Sequence, residues 1–368
     1  MRDHETWSGV TRLRRLRLPW RRLAACLAPS ALLLTTLSVG APARAGQPAS
    51  PAPGRVEVLH SVDALPPHVV GRFREPVGFE RVPRGPYYVF DRRGHAVHTV
   101  DETGETFRTL VAIGGEDGRL LEPSAFDVAT DGSFAVADAP GGRERIQVFG
   151  PAGIRIGGFT RPGRMPARVV LGSLVLSGVG SLVYTGSSVI ISEPESGWLL
   201  TEYGILGQVR RSIGRLRPTG HEADPEVHLA LNSTLALPAP DNGFFVVFLT
   251  GPPAFRRYDA EGTLLFERVI QGRELDAVVA TQAQRWPPRE PGSREAPLVP
   301  PVVRTAAVDP DGRLWVSFVV PFTYVYDADG EKVRTVQFRA AGLVAPASLS
   351  FTSRDRVLVT PGCYEFAY

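Results

Sequence analysis

Residues 221–228 hold His221, Glu222, Asp224, Glu226 and His228. Imidazoles interleaved with carboxylates are the donor types of zinc and related divalent sites. The spacing matches no established metal motif, and so polar a run is expected to be a solvated loop. His95 and His98, in GHAVH, stand three apart on a strand-like run, which puts them on opposite faces. A second carboxylate pattern is repeated rather than clustered. Residues 75–91 read EPVGFERVPRGPYYVFD and residues 122–138 read EPSAFDVATDGSFAVAD. Glu80 and Asp127 occupy the same place in the two copies, 47 residues apart, each after a phenylalanine. Such a pair can share one wall of a cavity. A repeated solvent-facing position gives the same pattern, and that is the expectation. The sequence contains no G-x-S-x-G, Walker loop or HExxH stretch.

What positions these residues is a longer repeat. After each copy comes a turn ending in glycine: DETG, then FGPAG, YGILG, YDAEG and YDADG, closing on Gly104, Gly153, Gly207, Gly262 and Gly330. Short apolar runs precede and follow each one. Earlier turns also recur, at Asp131-Gly132, Asn242-Gly243 and Asp311-Gly312, with Arg84-Gly85, Thr185-Gly186 and Arg354-Asp355 as weaker versions. These are hairpin turns, in which Gly or Asn takes the positive φ that other residues resist. Each unit is therefore four short strands, about 45–55 residues long, a period that points to a β-propeller. The count predicts six blades. The last supplies only SLSF, RVLV and YEFAY, so the N-terminal run RVEVLHSV (55–62) is expected to complete it, burying Val56, Val58 and Val62 and closing the ring.

Composition agrees. The chain has 368 residues, with 38 Gly and 33 Pro, which favours many turns. The first 45 residues carry eight arginines, an apolar run from Leu23 to Val39 and the exit Ala43-Arg44-Ala45. That is a secretory signal pattern, with cleavage expected before Gly46. Cys26 follows a lipid-anchor-like box, but the apolar run lies after it, so lipidation is not expected. Export by the general or the twin-arginine route is left open. Residues 46–54 read as a Pro-rich linker and 55–368 as the propeller. Without the signal, 33 basic and 36 acidic residues remain. That balance gives no electrostatic support for nucleic-acid binding, and membrane contact is expected only through an uncleaved signal. Cys363 alone remains after cleavage, so no internal disulfide forms. A secreted or periplasmic location follows.

The stretch VADAPGGRERIQVFGPAG (136–153) resembles the repeat of NHL-type six-bladed propellers, with Asp138, Arg145, Gln147 and Phe149 at the matching places. The likeness covers 55–368 in architecture and is specific in the second unit. The resemblance implies a secreted bacterial propeller without assigned activity. Related gluconolactonase-like propellers hold a channel cation by carboxylates and an amide, which here would fall on Glu80, Asp127, Asp309 and Asn232. Asp309 is already explained by its turn, VDPDG. Two inter-unit segments are long, 214–231 and 271–301, and should rise from one face. Residues 276–286 are expected to form a short helix over the channel mouth, anchored by Trp286. The reading is a binding module for a protein, peptide or glycan, with His221, His228, Arg273, Arg285 and Trp286 as contacts. No cofactor is expected, and an enzyme is the lesser alternative, a metal-assisted lactonase or lyase.

Overall fold

Short apolar runs separated by Asp-Gly, Asn-Gly and related turns fold here as antiparallel meanders. The computed structural model describes residues 55–161, 167–171, 174–177, 181–282 and 299–368. The expected signal and linker, Arg285 and Trp286 lie outside the described residues. The chain enters with β1 (Val56–Ala64) and the single-turn helix α1 (Pro67–Val70). One sheet follows from β2 (Pro76–Arg81), β3 (Tyr87–Asp91), β4 (Ala96–Val100) and β5 (Phe107–Val111). The next comprises β6 (Ala125–Val128), β7 (Phe134–Asp138), β8 (Arg145–Phe149) and β9 (Arg155–Thr160). A separate hairpin of β10 (Ala167–Leu171) and β11 (Leu174–Ser177) comes next. The third four-stranded sheet is β12 (Leu182–Tyr184), β13 (Ser188–Ser192), β14 (Trp198–Gly204) and β15 (Val209–Arg215). After α2 (Pro225–Leu231), the fourth is β16 (Thr234–Pro238), β17 (Phe244–Phe248), β18 (Ala254–Tyr258) and β19 (Leu264–Val269).

Beyond α3 (Asp276–Ala280) two further runs join in one sheet. The first is β20 (Val303–Val308), β21 (Leu314–Phe318), β22 (Thr323–Tyr326) and β23 (Lys332–Arg339). The second is β24 (Ser348–Ser353), β25 (Arg356–Thr360) and β26 (Tyr364–Ala367). Strand β1 lies between them, giving the order β20-β21-β22-β23-β1-β26-β25-β24. The fold is all-β and propeller-like; the described residues form, besides the β10-β11 hairpin, four separate four-stranded sheets and one of eight strands. The first strands touch in a closed circuit: β2, β6, β12, β16, β20, β24 and back to β2.

The N-terminal strand does reach the C-terminal one, by a different stretch than expected. Ser61, Asp63 and Ala64 pair antiparallel with Phe366, Glu365 and Tyr364, while Val56 to His60 pair parallel with Thr335 to Arg339 of β23. The residue it buries is Leu59, at 6% exposure; Val62 stays 56% exposed and Val58 37%. The expected burial is therefore wrong for Val58 and Val62, while Val56 is half-buried. Alternation along the strand sends Leu59 one way and Val58 and Val62 the other.

The second strands β3, β7, β17 and β21 are buried along their whole length, because neighbouring sheets cover both faces. That explains continuous runs such as FFVVF in place of alternation. All five turn glycines singled out above have positive φ. At Gly153 a Cβ would also stand 2.6 Å from the Leu110 carbonyl oxygen, so the turn packs on the preceding sheet.

The residues that carry the repeat resemblance have structural work. Asp138 holds Arg145 through two bonds, Nε to Oδ1 at 3.0 Å and Nη2 to Oδ2 at 2.7 Å. Arg145 then donates to the carbonyls of Gly115 and Arg119, and Gln147 also donates to Arg119. The Leu121 N–H donates to Asp138, and the matching Asp91 accepts from the N–H groups of Arg74 and Glu75. In both copies, the aspartate closing the second strand ties down the segment that leads into the first. Among the described residues no helix is long and apolar enough to cross a membrane.

Candidate functional site

The circuit of first strands encloses a cavity of about 1080 Å³. Its wall includes Glu80 and Asp127. Register explains why they meet. Each sits one pair before the end of its β-hairpin, Glu80 opposite Tyr88 and Asp127 opposite Ala135. The same place in the other first strands is held by Val183, Leu237, Ala307 and Phe351. All four line the same cavity. One layer of the channel is therefore apolar apart from two adjacent carboxyls.

This corrects the expectation of a solvent-facing pair. Both side chains are half-buried, opening to the channel while walled by protein. Burial pushes the Glu80 carboxyl well up, and the charge of Asp127 adds to the shift. Burial likewise pushes Asp127 up to about 7. The backbone N–H groups of Tyr184 and Val128 offset part of that rise; the Tyr184 bond to Asp127 is 2.6 Å long. Two like charges in an apolar layer resist joint ionisation, so the pair retains a proton near neutral pH.

The other two members of the resemblance-based cation set are committed elsewhere. Asp309 accepts from the backbone N–H groups of Asp311 and Arg313, from Arg313 Nε at 2.7 Å and from Trp315 Nε1 at 2.9 Å. It is the buried staple of its turn, as its sequence suggested. Asn232 accepts from the Arg217 N–H and donates to the carbonyls of Arg217 and His228, which fixes the long segment before β16. Among the described residues no three His, Cys, Asp or Glu side chains converge as metal donors.

The segment 214–231 is not simply a solvated loop. Asp224 caps α2 through the Val227 N–H, and Val227, Ala230 and Leu231 bury against Val299 of the second long segment. Thus the two segments pack together. Glu222 accepts the N–H groups of Thr219 and Gly220, bonds that hold its carboxyl below the usual range. His228 Nδ1 lies 2.8 Å from Thr219 Oγ1 and 3.8 Å from Glu222. His221 is half-buried at the same turn, its N–H on Thr219 Oγ1. Arg217 is held by the carbonyls of Leu231, Thr250 and Pro252. Burial pushes its guanidinium down to about 10, against the opposing charge of Glu267.

In the second segment, α3 ends at Ala280. Leu275 is buried, Val278 and Val279 pack on the core, and Glu274 accepts the Tyr324 hydroxyl at 2.6 Å. Arg273 is exposed, 3.9 Å from Glu274. None of the described residues of either segment lines the cavity. His95 is a turn residue with positive φ, outside β4, whereas His98 is buried against Thr109 and Phe107.

Sequence reasoning missed Arg304, which also lines the cavity. It is the second residue of β20, exposed, and has no hydrogen-bond or ion-pair partner among the described residues. Partial burial pushes its guanidinium below the usual value. Its only sequence signal is a lone charge in the apolar run VPPVVRTAAV. Arg74 lines the same end; Arg92 is there too, but is paired with Glu75.

No protein family description matches the chain, and no curated protein matches it. Solved structures do. Virginiamycin B lyase from Staphylococcus aureus, in selenomethionine form, is similar over 78% of this chain and 77% of its own, at 11% identity and a TM-score of 0.46. A streptogramin B lyase is similar over 79% of this chain and 92% of its own, at 11% identity and 0.46. Regucalcin from Agrobacterium tumefaciens strain C58, a calcium-binding protein, is similar over 85% of this chain and 95% of its own, at 12% identity and 0.47.

Proposed function

We propose that the chain is a secreted or periplasmic six-bladed β-propeller, a binding module that receives part of a protein, peptide or glycan ligand in its channel. The count of six is supported by the two strand runs within the eight-stranded sheet, added to the four separate sheets. Strand β1 then serves as the outer strand of the last blade. The repeat is of NHL type in its second unit. The observation that carries the binding reading is the cavity of about 1080 Å³ walled by the first strands. It is as large as the ligand pockets of proteins commonly are.

An antiparallel four-strand meander starts and finishes on the same side. The long segments 214–231 and 271–301 join one meander to the next, so they belong to the end of the channel where the first strands begin. His221, His228, Arg273, Arg285 and Trp286 are placed in this reading at the rim, with the channel behind them. Nucleic acid is not a partner in this reading, no cofactor takes part, and a membrane enters only through an uncleaved signal.

The test is a peptide and glycan array probed with the mature protein, then with Ala307→Trp, which puts a bulky ring in the channel layer. The reading expects a ligand whose signal the substitution removes at unchanged thermal stability. A ligand indifferent to Ala307→Trp would contradict it.

A metal-assisted lactonase or lyase is not supported by the donor set. Glu80 and Asp127 provide two carboxyls, while Asp309 and Asn232 are bonded elsewhere. What favours catalysis at all is the upward shift of the Glu80 and Asp127 carboxyls by burial, the usual attribute of a general acid. Turnover of an array-identified ligand, lost in Asp127→Asn with binding kept, would establish that second reading.

A further inference from the structure

The channel is chemically graded along its length. Arg304 and Arg74 stand at the end where the first strands begin, without an acidic partner among the described residues. Glu75 is already held by Arg92, with Nη2 to Oε1 at 2.5 Å and Nε to Oε2 at 3.0 Å. Deeper in lies the layer of Val183, Leu237, Ala307 and Phe351, joined by Glu80 and Asp127. A positive entrance leading to an apolar layer is the wrong chemistry for a cation and a poor one for a sugar. Sugar hydroxyls need polar partners, and this layer has few to give. It suits a ligand with an anionic head and an apolar body.

We propose that the channel takes an apolar-bodied carboxylate, with its head on Arg304 and its body against Val183, Leu237, Ala307 and Phe351. This rests on the channel being the binding site, and adds what the site selects. Arg304 presents a planar fork that fits a carboxylate with two parallel bonds. From Arg304 to Ala307 is three residues along β20, or about 10 Å at the rise of a strand. The Arg304 side chain can itself cover about half of that span, which leaves room for the carboxylate end of a peptide with an apolar last residue, or for a free branched-chain acid. Both present the same group to Arg304. The carboxyl pair beside the apolar layer has a proton to donate, so it accommodates a neutral carbonyl oxygen on the ligand body. A second anionic group there would be repelled once the pair ionises.

The test uses the mature chain and calorimetry with defined probes: an N-acetylated tripeptide ending in leucine, its C-terminal amide, and 4-methylpentanoate. The tripeptide acid, the small acid or both are expected to bind. For the peptide, the amide is expected to be about tenfold or more weaker, the loss that goes with one charge-assisted hydrogen bond. Arg304→Gln should bring the acid to the level of the amide, Arg304→Lys should restore part of the difference, and Ala307→Trp should abolish binding. Tight binding by 4-methylpentanoate alone would identify a free acid as the ligand; binding by the tripeptide acid would identify a chain end. Equal binding of acid and amide, indifference to Arg304→Gln in a variant that melts with the wild type, or no binding of any probe overturns the proposal. An array-identified neutral ligand that Ala307→Trp displaces but Arg304→Gln does not would overturn it too, while leaving the channel reading standing. A ligand that ignores both substitutions removes both.

Discussion

Asp127 Oδ2 accepts the backbone N–H of Tyr184 at 2.6 Å, which ties a carboxyl of the channel pair to the next first strand. The acid is thus part of the ring's wall as well as of its cavity. It is held in place by a bond that an asparagine oxygen can also accept.

Replacing that acid should stabilise the protein at high pH. Glu80 and Asp127 both have folded-state values above their unfolded ones. The folded protein then binds more protons than the unfolded chain, so the pair's contribution falls as pH rises. It is fully present below the ordinary carboxylate range and lost as Asp127 deprotonates at about 7. Asp127→Asn should therefore raise Tm at pH 8, by about 1.5 °C if it recovers ~1 kcal/mol, and change it much less at pH 4. Thermal scans at the two pH values check this; a larger gain at pH 4 would reverse the sign.

Closure by β1 should depend on Leu59 and not on Val62. Leu59 is 6% exposed and packs with Val336, Phe338 and Phe366, whereas Val62 is 56% exposed. Leu59→Ala should cost about 2–5 kcal/mol. Val62→Ala should stay within about 0.5 kcal/mol of wild type. Urea titration of the two variants separates them. Equal effects would mean that the strand is not the closing element.

Asp138→Ala should be among the most damaging single changes in the second sheet. It would leave Arg145, whose side chain is 8% exposed, with only the exposed Asp117 as a carboxylate partner, at 3.1 Å. Breaking one side of such a pair costs about 3–5 kcal/mol. The double variant Asp138→Ala with Arg145→Met should recover part of that loss, since neither charge is then left alone.

Rim residues should affect binding and spare the fold. Arg273 is exposed and its contact with Glu274 is long, at 3.9 Å. Arg273→Ala is expected to leave Tm unchanged and to weaken binding of an array-identified ligand. If neither changes, Arg273 is not part of the rim contact.

Much of the architecture was legible from turn chemistry. Positive φ costs least at glycine or asparagine, and Gly104, Gly153, Gly207, Gly262 and Gly330 mark it in the text at nearly regular intervals. The hairpins therefore announced themselves. The partner of β1 was found from an orphan strand at each end, but the buried side of β1 was misread, because a one-residue change of alternation swaps Leu59 for its valine neighbours. The site was harder. Glu80 and Asp127 were visible as a repeat, yet burial depends on what the other first strands place at the same register. Val183, Leu237, Ala307 and Phe351 are ordinary residues in unrelated contexts until the ring closes. In 221–228, Glu222 and Asp224 serve backbone N–H groups of their own segment, a role that no spacing motif announces.

The protonation state of the channel carboxyls is open to direct measurement. Carbon-13 NMR of side-chain carboxyls, with Glu80→Gln and Asp127→Asn used for assignment, reads it directly. Both signals should titrate well above the ordinary carboxylate range, that of Asp127 at about 7, and Asp127→Asn should lower the midpoint of Glu80. Two signals titrating independently in the ordinary carboxylate range would contradict a buried, proton-sharing pair.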